Sequence, residues 1–177
     1  MPEWRRIHPP GAPNLWSGKT ISVLRVCLDG LRGGERESLE TLWNGLLGLG
    51  PGLTTAGDDF LVGFLSVHRF LVSPFGFLLD QPRIKGDLKR QARSRTNEIG
   101  FQFLDCALER VFSEKVYRLL VGLIERTGGE ATRRYVTDCL RWGHSSGTDV
   151  MTGILFGLLT LRKKEGGKNR LGADIRH

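Results

Sequence analysis

The chain has 177 residues, 40% hydrophobic and 25% charged, which fits a globular protein large enough to bury one core. No apolar run reaches the roughly 20 residues that cross a bilayer, and the N-terminus lacks the apolar segment of a signal peptide, so we expect a cytoplasmic protein with no membrane contact. The net charge of +7 suggests nucleic acid, but the basic residues are scattered over Arg5-Arg6, 89–95, Arg133-Arg134 and 162–164, which argues for solvated helix faces instead.

Cys27, Cys106 and Cys139 are odd in number, lack CxxC spacing and sit in apolar settings. They read as buried thiols of a reducing compartment. Residues 1–34 read as an irregular or extended lead-in. Within it Thr20 to Leu28 alternates roughly, as a short strand would. Residues 35–47 carry Leu39, Leu42, Trp43, Leu46 and Leu47 on one helical stripe, and Gly48 follows as a stop signal. A glycine-rich loop leads to a helix over 58–72 that is apolar nearly all round and therefore central. Ser73-Pro74 ends it.

Residues 75–86 show no periodicity, and 87–95 are dense in charge. Thr96 reads as the N-cap of a helix to about Arg110, and Ser113 as the N-cap of a stripe through Val116, Leu119, Leu120, Leu123 and Ile124. Helices over 130–141 and 148–161 complete the chain, before a loose basic tail at 163–177. The expected fold is mainly α: a single helical domain over 35–162 with about six helices.

Two segments carry the candidate chemistry. Residues 48–63 read GLGPGLTTAGDDFLVG, and residues 143–155 read GHSSGTDVMTGIL. Gly57, Asp59, Gly63 and Leu65 align with Gly147, Asp149, Gly153 and Leu155, which makes an internal pseudo-repeat of two glycine-loop-to-helix units. Gly63, Gly153 and Gly157 give the two helices smooth ridges. Close parallel packing would bring their starts together around one pocket. A helix start gathers unpaired N–H groups and the positive end of the dipole, which suits a small anion.

Gly50, Gly52, Gly57 and Gly147 permit close backbone approach, and Thr54, Thr55, Ser145 and Ser146 add hydroxyls. Arg95, with Arg93 nearby, offers a counter-charge and Asn97 a hydrogen bond. Asp58, Asp59 and Asp149 serve either as dipole-complementing caps or as a working carboxylate group whose hard oxygens would suit Mg²⁺. No other cofactor is indicated. His144 is placed to move a proton near neutral pH, whereas His68, within an apolar run, reads as structural. Gly143–Gly147 matches the letters of a GxSxG elbow, but the segment before it reads as helix and not as the strand that elbow needs.

The blocks LLGLGPGLTTAGDDFLVGFL, RSRTNEIGFQFLDCALER and WGHSSGTDVMTGIL, in that order, resemble a bacterial and archaeal family associated with one subunit of oxamate carbamoyltransferase, the complex of anaerobic allantoin breakdown. The resemblance spans about residues 36–161. Family members extend further ahead of this region, so the chain reads as N-terminally short, and they commonly carry Pro-Ser where this chain has Thr55-Ala56. The resemblance implies carbamoyl transfer between oxamate and carbamoyl phosphate, with other subunits or further copies of the chain as partners. Two rival readings stand beside it. One is a Mg²⁺-dependent hydrolase of a nucleotide-like substrate, by analogy of the GDD and GTD loops with ADP-ribosyl-glycohydrolases. The other is a non-catalytic subunit that binds a metabolite.

Overall fold

The computed structural model describes residues 18–71, 73–125, 129–143 and 145–161. These residues form α1 (Gly18–Gly33), α2 (Arg36–Leu46), α3 (Ala56–Phe70), α4 (Pro74–Asp80), α5 (Pro82–Arg95), α6 (Glu98–Leu108), α7 (Glu114–Ile124), α8 (Gly129–Leu140) and α9 (Ser146–Leu161). The mainly helical expectation is met, and there is no strand among the described residues. No single helix among them is long and apolar enough to cross a membrane.

α3 is the hub. Every residue from Gly57 to Arg69 is buried, because neighbours cover the helix on all sides: α9 most extensively, with α2, α4, α6 and α7 around it. On one side Leu42, Trp43, Leu46, Phe60, Phe64 and Phe75 form the larger apolar cluster. On the other, Val67 meets Val116, Leu120, Val150 and Ile154. Phe156 of α9 packs on Phe60 and Phe64 at ring-centroid separations of 5.7 and 6.1 Å.

α3 and α9 run parallel and in register. A Cβ on Gly63 would overlap the carbonyl of Val150, and one on Gly153 would overlap the carbonyl of Phe60. The contacts are reciprocal, as an approximate two-fold relation between the helices requires. Further along, Gly157 lies against Val67 and His68 Nε2 sits 2.8 Å from Thr160 Oγ1. Only glycine lets two backbones approach this closely. Each helix start is also wedged under the preceding helix, since a Cβ on Gly57 would overlap Leu46 O and one on Gly147 would overlap Cys139 O. The internal repeat therefore has structural counterparts: Gly57 and Gly147 each lie under the preceding helix, and Gly63 and Gly153 each face the other helix's backbone.

Several local expectations are corrected. Thr20 to Leu28 is not a strand but part of α1. Its buried residues Thr20, Cys27, Gly30 and Leu31 follow a helical spacing, while Ile21 and Val26 of the apparent alternation face solvent. Residues 75–86 are not irregular. They hold α4 and the start of α5, because Pro74 and Pro82 occupy first-turn positions where no backbone donor is needed. α6 is capped by Asn97, whose Oδ1 accepts from Gly100 N at 2.9 Å, and not by Thr96. Ser113 caps α7 as expected. Cys27 and Cys139 are buried, but Cys106 is exposed on the outer face of α6. His68 is structural: its two ring nitrogens meet Ser73 and Thr160, and burial lowers its pKa to about 4. His144, residues 1–17 and the basic tail lie outside the described residues.

Candidate functional site

The loop between α2 and α3 is built from positive-φ glycines: Gly48 at 72°, Gly50 at 111° and Gly52 at 114°. Its fold depends on Asp58. One Asp58 oxygen accepts the Gly48 amide at 2.8 Å, and the other accepts the hydroxyl of Thr96. A buried carboxylate with a backbone amide and a hydroxyl on separate oxygens acts as a clamp, and here it joins the loop to the start of α6. Asn97 adds a second tie, donating from Nδ2 to Leu53 O at 2.9 Å. Thr96 was not legible as a partner of Asp58, since 38 residues separate them. Its hydroxyl next to Asn97 was the only local signal.

The amides of the helix starts are already engaged. Gly57 N donates to Leu49 O at 2.8 Å, Asp58 N to Thr55 Oγ1 at 3.3 Å and Asp59 N to Thr55 O at 3.0 Å. In α9, Gly147 N donates to Trp142 O at 2.8 Å and Asp149 N to Ser145 O at 3.1 Å. The expected set of unpaired helix-start donors is therefore absent at these positions, because the tight loops fold back and cap their own helices. The backbone amides of Gly50, Gly52, Leu53, Thr54, Thr55 and Ala56 have no backbone partner among the described residues.

The two units do converge. Thr54 Oγ1 donates to Asp59 Oδ2 at 3.0 Å and lies 3.1 Å from Ser146 Oγ of the other unit. Asp59 and Asp149 are only 6% and 4% exposed. Burial raises the pKa of Asp59 above the usual carboxylate value, against hydrogen bonds from Ser146 and Thr54. Burial, reinforced by the charge of Asp59, raises Asp149 to about 7, against a hydrogen bond from Ser145. Burial thus disfavours the charged form of both carboxyls, and the charge of Asp59 adds to the effect at Asp149. The positive ends of the two parallel helices lie beside the pair and favour the charged form.

Other candidates are placed elsewhere. Arg95 donates to Asn44 Oδ1 and Asn44 O at 2.8 and 2.9 Å, closing the end of α2. Arg93 stacks over the Phe101 ring, 4.4 Å from its centroid. Among the described residues no three His, Cys, Asp or Glu side chains form a group that could hold a metal ion, and both Asp58 oxygens already have partners.

Fold and site together define a mainly helical protein in which two glycine-loop-to-helix segments meet beside a pair of buried carboxyls. The family model for oxamate carbamoyltransferase subunit AllH matches residues 46–158, which contain both glycine-bearing loops and the starts of α3 and α9, and the chain belongs to that family. No curated protein and no solved structure matches it.

Proposed function

We propose that the junction of α3 and α9 binds the small anionic substrate of a carbamoyltransferase, carbamoyl phosphate or oxamate, within an assembly that includes other subunits. The observation that carries this reading is the hydroxyl bridge Thr54–Ser146 beside the buried Asp59–Asp149 pair. The loop amides of Gly50, Gly52 and Thr54 and the two hydroxyls supply donors for a carboxylate or phosphoryl group. In carbamoyl transfer, the amide nitrogen of oxamate attacks the carbamoyl carbon, a tetrahedral oxyanion forms, phosphate leaves and the nitrogen loses a proton. A carboxyl whose pKa is raised to about 7, as at Asp149, suits that proton movement. Oriented hydroxyls and helix dipoles stabilise the oxyanion without reorganising. His144, next to Ser145 in the sequence, is a second candidate for the proton. Asp58 and Thr55 act by positioning, through the loop clamp and the α3 cap.

The test is ligand-induced stabilisation of the full chain. A ligand at a hundred times its Kd raises unfolding free energy by about 2.7 kcal/mol. Carbamoyl phosphate or oxamate is expected to stabilise the wild type, and Thr54→Val with Ser146→Ala to remove most of the effect. An equal response from the double variant would overturn the assignment.

A further inference from the structure

The far end of α3 carries a second feature. Asp59 and Arg69 are ten residues apart on the helix, which places them roughly 15 Å apart along its axis. A cavity of about 110 Å³ opens there, lined in part by Arg69, Phe77, Asp80 and Arg110. This exceeds the roughly 10–15 Å³ that admits one water. The Arg69 side chain is 3% exposed. Its Nη1 donates to Asp80 Oδ1 at 2.7 Å and to Gly76 O at 3.3 Å, but its buried Nε has no hydrogen-bond partner. A desolvated guanidinium donor left unpaired is costly. Arg110 reaches the same Asp80 at 3.0 Å. Two guanidinium groups thus share one carboxylate, which leaves one positive charge in excess, and His68, neutral there, adds none.

Arg110 also occupies a backbone position that favours glycine. It follows the end of α6 at φ 64°, where Val111 N closes back on Cys106 O at 2.8 Å. Helix ends of this type usually carry Gly. An arginine in that slot is strained, and its side chain lines the cavity.

We propose that this cavity binds a small oxyanion between Arg69 and Arg110, separate from the junction of α3 and α9. Guanidinium forks match the planar oxygens of carboxylate and phosphate, and Arg69 and the exposed Arg110 both line the cavity.

The test follows the arginine Nε–H signals of the full chain by NMR while inorganic phosphate, and separately acetate, is added at constant ionic strength. The Arg69 signal is expected to shift and saturate, with the tighter of the two ions identifying the preferred headgroup. Arg110→Gly relieves the backbone strain, so it retains the fold, and is expected to weaken the apparent Kd at least about tenfold. The local signal distinguishes this cavity from an ion at the junction of α3 and α9. An Arg69 signal that neither ion moves, or an unchanged Kd in Arg110→Gly, would overturn the proposal.

Discussion

Asp149 is the residue on which the chemistry turns. Burial, reinforced by the charge of Asp59, outweighs the hydrogen bond from Ser145, so its pKa rises to about 7. The effect on stability has a definite sign. Between its ordinary value near 4 and about 7, Asp149 holds a proton in the folded chain and not in the unfolded one, so folding stability falls as pH rises through that window. Asp149→Asn removes this dependence. The unfolding free energy of the variant relative to wild type is expected to improve by on the order of 3 kcal/mol from pH 4 to 7 and then level off. Urea unfolding across that range checks it, and a flat difference would show that the carboxyl is not perturbed. His68 contributes the opposite slope. With its pKa lowered to about 4, it is neutral when folded and charged when unfolded below its ordinary value, so stability is lost as pH falls. Asp149→Asn should therefore also expose a rise in stability between pH 4 and 6.5.

At the scale of elements, the α3–α9 pair depends on the absence of two side chains. Gly63→Ala and Gly153→Ala would drive a methyl group into the opposing backbone, and each is expected to cost about 2–3 kcal/mol or more. Gly86 in α5 is exposed with open space around it, so Gly86→Ala should gain about 0.5–1 kcal/mol from helix propensity. Thermal unfolding of the three variants separates close packing from a general effect of losing glycine. These glycines were legible in the sequence because both copies of the unit keep Gly-x-Asp followed by Gly at the same spacing. Elements without such a marker were misread. α1 showed an apparent alternation through Ile21, Val23 and Val26, and only the buried set around Cys27 and Leu31 reveals its helical face. α4 and α5 were hidden by prolines that begin helices as readily as they end them.

In the whole molecule, the duplication brings two helix starts to one place and leaves their positive ends side by side. Buried acids at those starts offset what would otherwise be a repulsive arrangement. The convergence of the two units was legible, since like signatures on apolar helices have few ways to pack. The occupation of the helix-start amides was not, because the partners Leu49, Thr55, Trp142 and Ser145 depend on loop geometry. Nor was the diversion of Arg95 to Asn44, a contact across 51 residues. The most direct measurement of the account is the titration of Asp59 and Asp149 by carboxyl carbon NMR in the wild type and in Asp59→Asn. Asp149 is expected to titrate near 7 in the wild type and lower in the variant, where burial still raises it but the neighbouring charge is gone. An Asp149 that titrates near 4 in both proteins would contradict the coupled pair and the shared site built on it.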